Sequence, residues 1–230
     1  MKTFISCFLL LSVALCTQAQ WKFEVIAGPS LTTFTGKEKK DWGATYTNPK
    51  IVLRGNLGLR AERLLSEKFF AGGGIVFALK GTVYEGDVEY YNSTTYELEQ
   101  IKVKYTKNLT YLDLPLYAKY VASQRLKILM GLQPSFLLAA KIKNDENART
   151  VYPGLPKTED AKDYYTPFDL AAMFGPLYQI NDQLAVQVLI VPGVLKMAKA
   201  EAYSGGGMTE RKYKVNNAGL SFTIVYLIRQ

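Results

Sequence analysis

The sequence has no histidine, and its only cysteines, Cys7 and Cys16, lie near the start of the chain. Without imidazoles or later thiols, the chain cannot build a Cys/His zinc site, a cysteine nucleophile or a histidine-assisted serine nucleophile. It also lacks a clean spanning helix, because its most apolar stretches, 126–142 and 168–195, are broken by prolines and by charged or amide residues. We therefore expect no catalytic residue, no cofactor and no metal.

Residues 1–19 have the pattern of an export signal. Lys2 precedes an apolar stretch over 4–16, and the small Ala19 ends the segment. This predicts a secretory signal cleaved after about Ala19, followed by one domain over 20–230. Two alternatives fit less well: the stretch is too short for a retained anchor, and the bulky residue before Cys16 disfavours lipid attachment there.

The charge of the chain is basic but dispersed. Removing Lys2 from the 28 basic residues leaves 27 against 20 acidic ones, a net charge of +7. The basic residues form no stripe, and an exported chain rarely meets nucleic acid, so we expect no nucleic-acid partner. The excess suits attraction to the anionic lipids and sugars of a cell envelope.

Apolar residues alternate with polar or small residues in eight segments. In the second, Leu57 and Leu59 alternate with Asn56, Gly58 and Arg60, which is the period of a strand between two environments. The predicted strands are 21–33, 51–63, 69–81, 103–121, 126–142, 165–180, 183–195 and 214–229.

The connections alternate between short and long. Tight turns are predicted around 66–68, 123–125 and 181–183, whereas the long polar links are 34–50, 86–102, 143–164 and 196–213. This layout predicts an all-β fold: an eight-stranded antiparallel up-and-down transmembrane β-barrel with short periplasmic turns and long extracellular loops.

A soluble lipocalin-like barrel, with its apolar face turned inward around a ligand, would show the same alternation. The membrane form is favoured because the polar face is rich in small residues that suit a narrow lumen, and because the strands are long. Aromatic residues also close the apolar face at the turn rim, as expected of a periplasmic girdle. The predicted girdle is Trp21, Phe69, Tyr120, Tyr178 and Tyr226.

Charged residues recur on the predicted inner face. In a narrow lumen they would have to pair, because an unpaired buried charge costs several kcal/mol. We interpret them as a polar network that plugs the lumen, with a conduction path or ligand cleft as the alternatives. The predicted network is Glu24, Arg54, Arg60, Glu62, Asp113, Lys119 and Asp169.

Tyrosines are frequent in the long links. On a rigid scaffold they suit contacts with a glycan or a protein, although they also suit an outer girdle. Acidic residues of the third link lack the spacing of a calcium loop, which favours a solvated loop. The loop tyrosines are Tyr46, Tyr84, Tyr90, Tyr91, Tyr96, Tyr152, Tyr164, Tyr165, Tyr203 and Tyr213.

One strand carries a family resemblance. Residues 108–120, Asn-Leu-Thr-Tyr-Leu-Asp-Leu-Pro-Leu-Tyr-Ala-Lys-Tyr, resemble the Tyr-Leu-acid-apolar-Pro-Leu…Lys-Tyr strand of the PorT-like outer-membrane β-barrel family of Bacteroidetes. Residues 131–140 and 169–193 resemble the strands that follow. The resemblance implies an eight-stranded outer-membrane barrel without catalytic residues, in a family whose namesake is tied to protein secretion and gliding. The chain departs from a common barrel ending, because Tyr226 is followed by Leu-Ile-Arg-Gln and not by a terminal aromatic residue.

These observations predict a non-enzymatic barrel that acts in envelope integrity, in adhesion or as an accessory to a secretion or gliding complex. Its expected partners are outer-membrane lipid, the insertion machinery and a protein or glycan at the long loops. A small solute pore is the alternative that conductance would test. A membrane-embedded hydrolase or acyltransferase is disfavoured because the chain has no histidine.

Overall fold

The computed structural model describes residues 21–40, 47–92, 95–204 and 207–228, without the side chains of 200–212. The predicted signal, Tyr46 and the side chain of Tyr203 lie outside this description. The strands are β1 Trp21–Thr35, β2 Val52–Ser66, β3 Phe69–Asn92, β4 Glu97–Asp113, β5 Leu116–Val121, β6 Leu126–Asn144, β7 Thr158–Asp160, β8 Phe168–Gln179, β9 Leu184–Pro192, β10 Ala198–Ser204, β11 Gly207–Tyr213 and β12 Asn216–Ile228. A short helix, α1, spans Glu146–Val151. Among the described residues, no helix is long and apolar enough to cross a membrane.

The main sheet closes on itself. Each strand pairs antiparallel with its neighbours, and β12 pairs with β1 from Phe23↔Ile228 to Thr35↔Asn216. β7 is a short addition to β6, and β4 and β5 together form one interrupted strand of the barrel wall. The ten-stranded sheet is therefore a ring of eight wall strands, which we call staves. The predicted eight-stranded up-and-down barrel is confirmed.

The interruption between β4 and β5 falls at Leu114 and Pro115. Proline has no amide hydrogen and cannot complete the ladder. The surrounding hydrogen bonds continue nevertheless, because Leu114 donates to the Pro134 carbonyl at 2.8 Å and Gly74 donates to the Pro115 carbonyl at 3.0 Å. The wall therefore stays closed at this point.

The apolar side chains point out of the barrel. Cross-strand pairs such as Leu57↔Phe77 and Leu59↔Ile75 lie on the outer surface and are about half exposed or more. Polar residues such as Glu62, Lys119 and Asp169 are buried inside. A soluble barrel needs the opposite arrangement, so the lipocalin-like alternative is wrong.

The second long link differs from its prediction. It is not a loop over 86–102, because β3 and β4 continue as a two-stranded ribbon to Asn92↔Glu97. The ribbon escaped detection because its alternation differs from that of the wall: the outer face carries charged residues such as Asp87 and Lys102, and the inner face carries the apolar Val88 and Ile101. The third link contains α1 and β7, and the fourth is the β10–β11 hairpin.

Two predicted strand ends are shortened by three residues, both at prolines. The sixth predicted strand begins at Phe168, after Pro167, and the seventh ends at Pro192. Segments 165–167 and 193–195 lie outside the strands, although the amides of Thr166, Gly193 and Val194 still bond to neighbouring segments.

Candidate functional site

The inside of the barrel is filled in layers between the turn rim and the loop rim. On the turn side lies an ion cluster formed by Glu24, Arg60, Glu62 and Lys119, which we call the turn-side ion cluster. The Arg60 guanidinium contacts the Glu24 carboxylate at 2.7 Å, and the Lys119 ammonium donates to the same carboxylate at 2.8 Å. Lys119 also pairs with Glu62. The two acids and two bases balance, as burial of charge requires.

Strand register explains why these residues meet. Glu24 and Arg60 are directly opposite on β1 and β2, and Lys119 lies opposite Phe70 on β3. Glu62 pairs with Gly72, whose missing side chain leaves room inside the wall. A Cβ at Gly72 would lie 2.7 Å from the hydroxyl oxygen of Tyr117. The glycine therefore allows Tyr117 to enter the lumen beside the ions.

Aromatic rings in the lumen lie beside cations. Arg60 and Lys119 are 5.2 Å and 5.6 Å from the centroid of the Tyr117 ring. Near the turns, Lys22 and Lys127 lie 4.9 Å and 5.5 Å from the centroid of Phe70. Such contacts stabilise a cation that has left bulk water. The residue pattern of the sequence did not predict them, because they depend on which strands become neighbours.

A cavity of about 80 Å³ lies beyond the turn-side ion cluster. We call it the central cavity. Ile26, Val76, Met173 and Leu189 supply apolar walls, and the polar tip of Gln187 lines it as well. This volume is large enough for several water molecules.

Two buried amides leave one group each unused at the central cavity. Gln187 accepts a hydrogen bond from Arg60 at 2.8 Å, which orients its Nε2 as a donor without a partner among the described residues. Asn217 donates to Asp169 at 2.8 Å, which leaves its Oδ1 as an acceptor without a partner there. Unsatisfied buried amides are costly and therefore uncommon. The unused Nε2 of Gln187 and Oδ1 of Asn217 mark two defined polar points at the central cavity.

A second polar layer lies closer to the loops. Lys80 donates to Asp113 at 2.9 Å and to Ser135 at 3.2 Å, while Gln133 donates to Asp113 at 2.6 Å. Lys80 is also 4.5 Å from the centroid of the Tyr111 ring. Both side chains of the Lys80–Asp113 pair are nearly excluded from solvent.

The network residues predicted from the sequence thus occupy three separate places. Glu24, Arg60, Glu62 and Lys119 form one cluster, while Asp113 and Asp169 lie in the layer nearer the loops. Arg54 stands apart and donates to Asn108 at 2.7 Å. The sequence prediction omitted the uncharged members Gln133, Gln187 and Asn217. Only their inward positions on the strands could have indicated that they belong to the network.

An apolar cluster closes the lumen beneath the loops. We call it the loop-side apolar cluster, and it includes α1 and residues of the third and fourth links. Its buried members are Phe34, Tyr84, Val103, Tyr105, Leu109, Tyr111, Leu137, Ala140, Ala148, Ala161, Tyr165, Met197, Ala198 and Val215.

Most of the described loop tyrosines fall into two groups, apart from Tyr90 and Tyr213, which are half-buried. Tyr84 and Tyr165 are buried in the loop-side apolar cluster, so their prediction as surface contacts is wrong. They are buried because the inward face of the barrel wall continues up to this level. Tyr91, Tyr96, Tyr152 and Tyr164 are exposed, Tyr96 at 77%. Of the acidic residues of the third link, Asp145 accepts a hydrogen bond from Ala148 and caps α1.

The ribbon of β3 and β4 carries two carboxylates with several donors each. At its base, the hydrogen bond from Lys50 holds the pKa of Glu85 below its ordinary value, and Lys104 lies 3.5 Å away. At its tip, Asn92, Thr95 and Tyr90 all donate to Glu99, and these hydrogen bonds lower the pKa of Glu99. The ribbon tip is therefore organised around one carboxylate.

The predicted girdle residues all lie on the outer face near the turns. Trp21, Phe69, Tyr120, Tyr178 and Tyr226 are each partly exposed. Phe69 and Tyr120 are directly opposite on β3 and β5, with ring centroids 5.2 Å apart.

Comparison with known families agrees with this architecture. The model of a family described as an outer membrane protein β-barrel domain matches residues 17–198. The chain belongs to this family. The match ends before β12, the stave that closes the ring against β1. Membership identifies an outer-membrane barrel and leaves the finer resemblance to PorT-like proteins as a prediction.

Several solved structures are similar to the chain at low identity. Neisserial surface protein A is 11% identical to this chain, with a TM-score of 0.47. The alignment covers 89% of this chain and 96% of that protein. Ail of Yersinia pestis, solved with the heparin analogue sucrose octasulfate, is 9% identical, with coverages of 91% and 99% and a TM-score of 0.46. The Escherichia coli outer membrane protein W is 16% identical, with coverages of 92% and 100% and a TM-score of 0.40. No curated protein matches the chain.

Proposed function

We propose that the protein is a non-enzymatic outer-membrane barrel with a structural or interaction role, which carries its long links on a rigid, plugged scaffold. Its work would lie in envelope integrity, in adhesion or in an accessory part of a secretion or gliding complex. The observation that carries the proposal is the filled lumen, in which the turn-side ion cluster and the loop-side apolar cluster lie on either side of the central cavity.

Orientation follows from the layout of the connections. Short turns and long links lie on opposite rims, as in outer-membrane barrels whose turns face the periplasm. In this orientation the ribbon of β3 and β4 and the exposed tyrosines face outward from the cell. Export would require the predicted signal at 1–19, removed after about Ala19, and insertion would use the outer-membrane assembly machinery.

Two measurements together test this proposal. Envelope fractions solubilised in mild detergent are run on gels with and without boiling, and intact cells are treated with protease. We expect faster migration before boiling and cleavage within the long links. A soluble protein with no mobility shift would contradict the membrane assignment.

The alternative is a small solute pore, favoured by the central cavity and its unused donor and acceptor groups. Passage would require the paired charges and the apolar cluster to separate. Planar-bilayer recordings distinguish the two functions. The plugged scaffold predicts no steady conductance, whereas reproducible unitary steps from purified protein would establish the pore.

A further inference from the structure

The central cavity combines apolar walls with a few buried polar atoms. Val76, Met173 and Leu189 supply wall surface that makes no hydrogen bonds. Gln187 and Asn217 also line the cavity and are only 1% and 6% exposed, so their unused groups face the interior and not the protein surface. A largely apolar enclosure with a few fixed polar groups is the usual form of a small-molecule site.

The two unused groups lie at different heights in the barrel. Gln187 is directly opposite Thr223 in the pairing of β9 with β12, and Asn217 lies six residues closer to the loops on β12. The rise along a strand places these backbone positions roughly 20 Å apart. Gln187 is held on the turn side by its hydrogen bond from Arg60, and Asn217 is held on the loop side by its hydrogen bond to Asp169. The cavity is therefore elongated, with a free donor toward the turns and a free acceptor toward the loops.

The charged residues that line the cavity already have partners. Arg60 contacts the Glu24 carboxylate at 2.7 Å, and Lys80 contacts the Asp113 carboxylate at 2.9 Å. A charged ligand would therefore be buried without a counterion, which is costly. The lining favours an uncharged ligand.

Each unused atom specifies the ligand group that it would bind. Nε2 of Gln187 requires an acceptor, and Oδ1 of Asn217 requires a donor, as does Oδ1 of Asn56, which also lines the cavity. A hydroxyl group is both a donor and an acceptor. Water would satisfy these atoms but would also wet the apolar walls between them, whereas an apolar body removes that surface from water. We propose that the central cavity binds an uncharged molecule with an apolar body and a hydroxyl group at each end, of the class of short-chain diols.

Titration with a six-carbon diol, followed by NMR, tests the proposal. The isotope-labelled full-length barrel is placed in nanodiscs, and the side-chain amide signals of Gln187 and Asn217 are recorded as hexanediol is added. We expect both signals to shift and to saturate, which simple partition of the diol into lipid does not produce. Hexanol lacks one hydroxyl group and should bind about 2- to 10-fold more weakly, as expected for one hydrogen bond. Hydroxyhexanoate, which carries a charge, should give no saturable shift.

Gly219→Val fills the cavity without removing a hydrogen-bonding group. Gly219 lines the cavity, and a Cβ there would lie 3.5 Å from the Leu31 carbonyl oxygen and 3.7 Å from Cγ2 of Thr32, which are ordinary contacts. We expect the diol to bind about tenfold more weakly, the contribution of roughly two buried methylene groups. Gly55→Val is the matched control, because the nearest atom to an added Cβ is 3.8 Å away and Gly55 lies outside the cavity lining. It should bind the diol as the wild type does.

Three results would overturn the site. Absence of a saturable shift with hexanediol would leave a cavity that holds water only. Equal affinities for hexanediol and hexanol would show that the two ends are not both bound. Unchanged binding by Gly219→Val would show that the diol binds elsewhere.

The inference goes beyond the proposed scaffold role, and the two can fail separately. Every variant is first checked for the mobility shift on boiling. A heat-modifiable, non-conducting barrel without saturable binding refutes only the ligand site. Steady conductance, or absence of the shift in the wild type, refutes the proposed function itself.

Discussion

At the scale of single residues, Lys119 is central to the lumen. Its ammonium pairs with both Glu24 and Glu62, and its side chain is almost fully excluded from solvent. Among the described contacts, Arg60 pairs with Glu24 and not with Glu62. Loss of Lys119 would therefore leave Glu62 as a buried charge without its counterion.

We predict that Lys119→Met lowers the free energy of unfolding by about 3–5 kcal/mol, since a broken buried pair leaves an uncompensated charge. Urea titration of the barrel in lipid vesicles measures the loss. Adding Glu62→Gln to Lys119→Met should restore part of the stability. Lys143→Met, at an exposed site, should change stability by no more than ~0.5 kcal/mol. A similarly small effect of Lys119→Met would contradict the role of the cluster.

Gly72 gives a second prediction at this scale. A Cβ there would meet the Tyr117 ring and hydroxyl at 2.7 Å and the Ala61 carbonyl at 2.8 Å. Gly72→Ala should cost ~1–3 kcal/mol of unfolding free energy, as overpacking does. At Gly55 the nearest atom to an added Cβ is 3.8 Å away. Gly55→Ala is thus the matched control, and equal effects of both substitutions in the same urea titration would show that Tyr117 packing is not the cause.

The cation contacts and amide bonds of the lumen could not be predicted from the sequence. Alternation along a strand indicates which residues face inward, and it correctly gave Glu24 and Lys119 an inward position. It does not indicate the stagger between strands, which decides that these two residues lie within 2.8 Å of each other. Pairing partners therefore required the closed ring.

At the scale of elements, the ribbon formed by the ends of β3 and β4 is distinct from the barrel wall. Its outer face has Tyr91 opposite Leu98 near the tip, both well exposed, and Glu85 opposite Lys104 near the base. The opposite face packs Val88 and Ile101 against the loop-side apolar cluster. One face is thus anchored, whereas the other is exposed.

The ribbon tip should respond to acid in a defined direction. The pKa of Glu99 is lowered from 4.5, chiefly by the hydrogen bond from Asn92 and then by those from Thr95 and Tyr90. A lowered pKa means that these contacts persist as the pH falls to 4.5 and weaken only as it passes through the lowered value. The protection of tip amides from exchange, measured by NMR and corrected for the intrinsic pH dependence of exchange, should therefore fall only below that point.

Glu99→Gln is the control for this titration, because it keeps the shape of the side chain and removes the ionisable group. Its tip protection should be insensitive to acid over the same interval, while the protection of wall amides stays unchanged in both proteins. A wild-type tip that loosens above 4.5 would contradict the assignment.

Prediction from sequence worked for the wall and failed for the ribbon, for the same physical reason. Where a bilayer contacts one face of a strand and the lumen the other, side chains alternate, as at Leu57, Gly58 and Leu59. In the ribbon the outer face meets water, so its outward positions carry charged residues such as Asp87 and Glu89 while Val88 packs inward. The apolar-outside pattern of the wall is therefore lost, although the chain stays extended.

At the scale of the whole molecule, orientation in the membrane is directly measurable. Both cysteines of the chain lie within the predicted signal, so the mature protein should carry no thiol. A single cysteine can then report its own location. We predict that Leu98→Cys in the ribbon reacts with a membrane-impermeant maleimide on intact cells, whereas Gln124→Cys in a short turn reacts only after the outer membrane is permeabilised.

Comparable heat-modifiability of both variants shows that each barrel has folded. The opposite labelling pattern would invert the orientation, and labelling of both sites on intact cells would indicate leaky cells or an unfolded chain. The wild type serves as the blank, because any labelling of it would reveal a retained signal.

The seam between β1 and β12 also constrains how the barrel assembles. It pairs Phe23 with Ile228, so the two strands that complete the ring are separated in sequence by almost the whole described chain. Pairings this distant form slowly, because a long loop must be ordered before they contribute any stability. Until that moment β1 and β12 both present unpaired amides and carbonyls, which a lipid interior cannot satisfy. Closure of this seam is therefore expected to be the slow step of folding, and an unclosed intermediate must be shielded until its two ends meet.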